Sequence, residues 1–137
     1  MVNNYFFDSS FLFALFLNED IHHNDAVAIF DTIIIDECHF YINEDVIKEI
    51  ITLIAYKYKK SFWLIENLLS FIDSLDITVV SYDFDIYIKH YLLLWKKISF
   101  QDSTILLDSM RLKSRLLTFD LELQKIAKII EKNLYFY

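Results

Sequence analysis

Leu116-Leu117-Thr118-Phe119-Asp120 is the stretch on which the reading of this chain turns. Leu116 to Phe119 is a short apolar run of the kind that forms a buried strand, and Asp120 falls where that strand has to stop. A carboxylate just past the C-terminal end of a parallel strand faces the crevice in which open α/β sheets hold their ligands. Near the start of the chain, Tyr5-Phe6-Phe7 is followed by Asp8 in the same way. If both strands lie side by side in one sheet, carboxylates from opposite ends of the sequence meet.

Outward from these two stretches, strand and helix patterns alternate. Strands are expected at 5–7, 38–42, 77–81 and 116–119, with 134–137 as a terminal edge strand. Helices are expected at about 9–17, 25–35, 44–60, 61–74, 83–97, 100–113 and 121–132, with residues 18–24 as a polar loop. Asn43 is placed to cap the third helix, with Glu44 and Asp45 in its first turn, where the macrodipole favours them. Such alternation implies βαβ units and a parallel sheet, and right-handed crossovers put helices on both faces. The expected fold is a three-layer α/β/α sandwich with a central, mostly parallel sheet of four or five strands. It occupies one domain, residues 1–137.

Composition narrows the function. With 55% apolar and 18% aromatic residues in 137, the chain can bury a core, and disorder is excluded. Cys38 is the single cysteine, so no intrachain disulfide or cysteine-rich zinc site is available, which fits a reducing compartment. Gly and Pro are both absent. That removes the P-loop, the dinucleotide fingerprint and the nucleophile elbow, and leaves turns to Asn, Asp and Ser. AT-rich codon usage, with abundant Ile, Phe, Tyr, Asn and Lys, accounts for the bias without any functional cause.

The net charge of −7 divides into −9 over residues 1–50 and +2 over residues 51–137. A globally acidic chain binds nucleic acid poorly unless a cation or a basic rim intervenes. No basic segment precedes an apolar stretch, and the run Phe11 to Leu17 falls short of the ~20 residues of a membrane span. A cytoplasmic protein with no membrane partner is expected.

Four acids stand where this architecture can gather them: Asp8, Glu49, Asp102 and Asp120. Asp8 and Asp120 end strands. Asp102 lies in the first turn of the helix that Ser99 can cap. Glu49 sits between Val46 and Leu53 on a helical wheel and so borders the buried face. Two unit charges ~4 Å apart repel by about 4 kcal/mol in an effective dielectric of ~20. Several such pairs rival the ~5–15 kcal/mol stability of a whole domain. Unless the acids are apart or protonated, a hard cation such as Mg²⁺ or Mn²⁺ has to sit among them. A site of that kind polarises phosphoryl oxygens and activates water, which is the chemistry of phosphodiester cleavage. Each residue also has a plain structural use: Asp8 and Asp120 as helix caps, Ser99 to Asp102 as a capping-box variant, Glu49 as a surface carboxylate.

At these residues the sequence resembles the PIN-domain ribonucleases, most closely the stand-alone VapC-like toxins. The resemblance rests on Phe6-Phe7-Asp8-Ser9-Ser10-Phe11-Leu12, on Ile47-Lys48-Glu49-Ile50, on Ser99-Phe100-Gln101-Asp102-Ser103-Thr104-Ile105 and on Leu116-Leu117-Thr118-Phe119-Asp120. The eighteen positions from Asp102 to Asp120 are similar to the family's usual separation. The resemblance implies a Mg²⁺- or Mn²⁺-dependent endoribonuclease cutting single-stranded or loop RNA. Asp8, Asp102 and Asp120 would hold metal, and Glu49 would hold metal or orient the attacking water. It further implies Ser10 as the small hydroxyl residue beside the first acid, Thr118 as a support for the last, a homodimer, and a type II antitoxin whose tail blocks the acidic site. Asp108-Ser109-Met110-Arg111-Leu112-Lys113-Ser114-Arg115 departs from the family, which carries small residues and Gly there.

Other features carry less. Asp83-Phe84-Asp85 follows a strand in the manner of a haloacid-dehalogenase motif, but Tyr87 stands where that motif wants Thr or Val, and capping is the simpler role. His22 and His23, beside Glu19, Asp20 and Asp25, are expected to be solvated rather than ligands. Lys57, Lys59 and Lys60, and Arg111, Lys113 and Arg115, are basic clusters at helix ends, able to meet phosphate. Tyr and Phe are too frequent for any one to be singled out as a base platform. Two rival readings remain: a non-catalytic PIN-like module that binds RNA or protein, and an oligomerisation protein whose aromatic surface is its purpose.

Overall fold

The computed structural model describes residues 3–57, 62–94 and 97–132. Among the described residues, four strands alternate with seven helices: β1 (Asn3–Phe7), α1 (Ser9–Phe16), α2 (His23–Ile33), β2 (Cys38–Asn43), α3 (Glu44–Lys57), α4 (Phe62–Ser74), β3 (Thr78–Val80), α5 (Phe84–Leu94), α6 (Phe100–Arg111), β4 (Arg115–Leu117) and α7 (Leu121–Lys132). The expected strand at 134–137 and the cluster positions Lys59 and Lys60 lie outside the described residues.

The sheet is parallel throughout, in the order β3-β2-β1-β4. The chain steps from β1 through β2 to β3 in one direction, then returns across the sheet to lay β4 on the other side of β1. Right-handed crossovers made in both lateral senses put helices on both faces, and the result is a three-layer α/β/α sandwich. Its switch point lies between β1 and β4, where Tyr5, Phe6 and Phe7 pair with Arg115, Leu116 and Leu117. Crevices for ligands open at such points, at the C-terminal ends of the strands.

The aromatic excess goes largely into this core. Phe6 and Phe7 are fully buried on β1, and Phe7 packs on Phe40 and Phe11 with ring centroids 5.1 and 5.4 Å apart. Each such side chain contributes roughly 1.5–3 kcal/mol of burial. On α3, Val46, Ile50 and Ile54 recur every fourth residue and are buried, while α1 is buried over Phe11 to Leu15 and α6 over Ser103 to Ser109. The latter two are central helices and show no clean polar stripe.

Three details depart from expectation. β4 stops at Leu117 rather than Phe119, because side-chain hydroxyls take over the backbone groups that follow, as described below. α2 begins at His23, inside the expected loop, since the His22 backbone N–H donates to Asp20 Oδ1 and starts the turn early. Lys113 takes the left-handed conformation (φ 49°) that ends α6, with Lys113 N–H bonded to Met110 O and Ser114 N–H to Ser109 O. Gly usually fills that position, so the turn is not left to Asn, Asp and Ser alone. At the other left-handed position, Asp76 (φ 53°) does follow the expected usage. Among the described residues, no helix is long and apolar enough to cross a membrane.

Candidate active site

Asp8 is the buried anchor of the site, with 3% of its surface exposed. Its backbone N–H donates to Leu117 O at 3.0 Å, extending the β1–β4 pairing by one bond. Oδ2 accepts from Thr118 Oγ1 at 2.6 Å and from Ser10 Oγ at 2.8 Å. Each hydroxyl has one proton, so the 3.1 Å Ser10–Thr118 contact is an approach between two groups already committed to Asp8. Their lone pairs are used as well. Ser10 Oγ accepts from the Phe119 N–H and Thr118 Oγ1 from the Asp120 N–H. This is why the strand ends early: two hydroxyls replace the sheet partners of residues 119 and 120.

Ser10 and Thr118, expected to support the first and last acids, thus join Asp8 and Asp120 into one unit. Ser9, not singled out from the sequence, reaches Asp8 Oδ1 at 3.5 Å, a long contact. Hydrogen bonds to ionised groups contribute about 1.5–3 kcal/mol. Thr118→Val is therefore expected to destabilise the protein by about 2–3 kcal/mol in urea unfolding. A loss below about 0.5 kcal/mol would mean that the hydroxyl does not hold the charge of Asp8.

Asp120 caps α7. Its Oδ1 accepts from Glu122 and Leu123 N–H at 3.0 and 3.1 Å. Asp8 occupies the cap position of α1 but makes no side-chain cap bond; its carboxylate is turned to the two hydroxyls instead. Asp102 stands in the first turn of α6, whose cap Ser99 accepts the Asp102 N–H at 3.1 Å. Burial, followed by the charges of Asp8 and Asp120, pushes the half-buried Asp102 carboxyl above the usual carboxylate range, against a hydrogen bond with Ser99. Glu49 is more exposed than its apolar neighbours suggested, since Leu53 is itself 39% exposed. Its carboxyl is also pushed up, first by desolvation and then by Asp8, Asp102 and Asp120, with a Ser9 hydrogen bond opposing.

Glu49, Asp102 and Asp120 line one open crevice of about 420 Å³, together with Asp45, Lys48 and Ser99. An adjoining hollow of about 320 Å³ carries Asp102 and Asp120 onward to Lys97. Asp8 lies buried behind them, within range to act on both Asp102 and Glu49. A larger cavity of about 500 Å³, between α2, β4 and α7, contains no acidic side chain.

The donor set is all oxygen, which suits a hard cation. Among the described residues, no three His, Cys, Asp or Glu side chains form a ready-made ion cage. Mutual repulsion holds carboxylates apart, and Mg²⁺ keeps several waters and needs only one or two of them. The residues present fit such an ion on those terms.

His22 and His23 are not the solvated pair that the loop reading expects. The His22 ring stacks on Phe119, centroids 4.5 Å apart and 8° from parallel, and Phe119 stacks in turn on Phe11. His23 Nδ1 lies 2.7 Å from Ala14 O. Neither is in the crevice. Asp83 and Asp85, at the start of α5, are exposed and also stand outside it.

A second polar cluster, invisible in the sequence, underlies the crevice. Asn43 caps α3 through Oδ1, as expected, and its Nδ2 donates to Asp108 Oδ2 at 2.9 Å and lies 3.2 Å from Thr104 Oγ1. Tyr87 donates its hydroxyl to the same Asp108 oxygen at 2.9 Å, and Thr104 lies 2.7 Å from Asp45 Oδ2. The cluster fastens α3, which carries Glu49, to α6, which carries Asp102.

Known proteins share this fold. Residues 5–129 match the PIN domain family. The fold is similar to that of Mycobacterium tuberculosis VapC20, a sarcin-ricin-loop-cleaving toxin, at a TM-score of 0.73 and 17% identity, covering 89% of this chain and 94% of that one. It is also similar to PAE2754 of Pyrobaculum aerophilum, at a TM-score of 0.57 and 18% identity, covering 90% and 85% of the two chains. No curated protein matches by sequence. With the family pattern spanning nearly all of the sheet and its switch point, the chain belongs to the PIN domain family.

Proposed function

We propose that the protein is a Mg²⁺- or Mn²⁺-dependent endoribonuclease that cuts single-stranded or loop RNA, as the toxin of a type II toxin–antitoxin pair. The observation that carries this reading is the meeting of Glu49, Asp102 and Asp120 in one crevice, with Asp8 behind them, at the β1–β4 switch point. Membership of the PIN family and the fold shared with VapC20 support it.

Asp8, Asp102 and Asp120 would hold the ion directly or through water. When bound, it supplies polarisation of the phosphoryl oxygen and a lowered water pKa. Ser10 and Thr118 fix the carboxylate of Asp8 in one orientation, so no reorganisation is needed during reaction. Glu49 holds the ion or orients the attacking water, and its raised proton affinity suits it to accept that water's proton. Thr118 and the α7 cap keep Asp120 beside Asp102.

The proposal extends to one domain over the whole chain, a cytoplasmic location, a homodimer and an antitoxin partner. Exposed Phe62, Trp63 and Leu69 on α4 and Leu92 and Leu93 on α5 are apolar surface of the kind that partners cover.

A second reading, a PIN-like module that binds RNA or protein without cutting, draws on the lack of a closed three-ligand group among the described residues. One pair of measurements separates them. Purified protein is expected to cut RNA only with Mg²⁺ or Mn²⁺ present. Mn²⁺ at about a hundred times its dissociation constant is expected to raise stability by about 2.7 kcal/mol, seen as a higher Tm. The same Tm shift in an Asp8→Asn/Asp102→Asn double variant, or no cleavage by folded wild type, would falsify the nuclease reading.

A further inference from the structure

Beside the acidic crevice is a second, smaller cleft of about 180 Å³ at the C-terminal ends of β2 and β3. Asp45 and Lys48 line both, so the two are continuous. Four rings line the rest of it, Tyr82, Phe84, Tyr87 and Phe100, along with the polar side chains of Asn43, Glu44 and Ser81. That volume is room for one planar ring.

The rings are held in place but not used up. Phe84 meets Phe100 at 5.8 Å and 57°, and Tyr82 meets Tyr87 at 6.2 Å and 69°, so neither pair is stacked face to face. Arg111 lies 4.1 Å over the Tyr82 ring, and Tyr87 is tied to Asp108. Phe84 keeps 67% of its surface exposed. Ring surface left open beside the cleft is able to take a stacked planar group.

Charge indicates what that group is. In an acidic protein, the hollow adjoining the crevice carries Lys97, and Lys48 stands on the wall shared by the crevice and the aromatic cleft. Lys48 is only weakly paired, 3.9 Å from Glu44 and well exposed. Cations flanking the acids, with an aromatic slot beside one of them, fit a backbone that crosses the crevice and puts one base into the slot.

We propose that the cleft formed by Tyr82, Phe84, Tyr87 and Phe100 is a nucleobase subsite for a nucleotide next to the scissile phosphate. The subsite rests on the ribonuclease reading of the adjoining crevice. Its rings offer a base a face to stack on, while the polar groups of Asn43 and Tyr87 are committed internally.

The test is binding of a fluorescein-labelled 12-nucleotide oligouridylate, measured by anisotropy at fixed salt without added metal, so that it does not depend on cleavage. Phe84→Ala is expected to weaken binding about tenfold, the size of one base–aromatic stack. Phe84→Tyr should restore it, and Phe62→Ala, an equally exposed ring on α4, should leave it unchanged. Equal affinity for wild type and Phe84→Ala overturns the subsite, as does absence of RNA binding by the wild type. Either result would be expected if the cleft served a peptide side chain instead. Phe84-dependent binding with no cleavage in Mn²⁺ would sink the ribonuclease reading and leave the subsite. Cleavage with Phe84-independent binding would do the reverse.

Discussion

Asp102→Asn is expected to lower RNA cleavage by about 10²–10³-fold, the few kcal/mol that one ligand or charge-stabilising group supplies to a phosphoryl-transfer transition state. The same change is expected to leave Tm unchanged or higher. Asp102 is half-buried near Asp8 and Asp120, and both push its carboxyl toward protonation. A neutral amide removes that repulsion, and the bond from the residue-102 N–H to Ser99 survives because it uses the backbone. Activity and stability thus move in opposite directions, which a structural role does not predict. If Asp102 merely capped α6, the substitution would cost about 1 kcal/mol or less, and cleavage would follow the folded fraction. Measured kcat with circular dichroism on the same samples decides. Undiminished cleavage by folded Asp102→Asn protein removes this residue from the catalytic set.

The largest effect on stability is expected from pH, through Asp108. Its side chain is fully buried, and burial pushes its carboxyl from 3.8 up to about 6. Hydrogen bonds from Asn43 and Tyr87 and the charge of Arg111 oppose the shift, while Asp45 adds to it. Among the described residues, Asp108 Oδ1 has no hydrogen-bond partner. Between the unfolded and folded values the native state holds more protons than the unfolded one, so stability falls as pH rises. The contribution is fully present below about pH 4 and lost by the time pH has passed about 6, and it amounts to at most about 3 kcal/mol. Asp102 and Glu49 are shifted the same way and steepen the wild-type profile. The informative quantity is therefore the difference between wild type and Asp108→Asn. Urea unfolding at several pH values should show the gap between them changing by about 2–3 kcal/mol across this window. Parallel profiles would mean that Asp108 is ionised at the same pH in both states.

The cluster around Asp108 also illustrates what local pattern cannot report. Asp108 reads as the start of a charged stretch at the end of α6, and nothing within a few positions marks it as buried. It is buried because Asn43, 65 positions away, and Tyr87, 21 positions away, arrive at one of its oxygens. His22 looked solvated for a similar reason: the ring that covers its imidazole is Phe119, 97 positions away in sequence. β4 looked longer than it is because Thr118 and Phe119 are good strand residues. Hydroxyls of Ser10 and Thr118 claim the backbone groups that follow, and the Ser10 bond to Phe119 is a contact between the two ends of the chain. Glu49 looked like a border residue because Val46 and Leu53 are both apolar, yet only Val46 is buried.

Element types, their order and the placement of Asp8, Asp102 and Asp120 at strand and helix ends are properties of short windows. Period-2 and period-3.6 burial and first-turn chemistry act over a few residues, so the chain itself specified them. Which strand lies beside which, and hence that Asp8 and Asp120, 112 positions apart, are joined through Thr118, was decided by folding. Pairing β1 with β4 buries Phe6, Phe7 and Leu117 together, and that gain in apolar burial is available only once the whole sheet has closed.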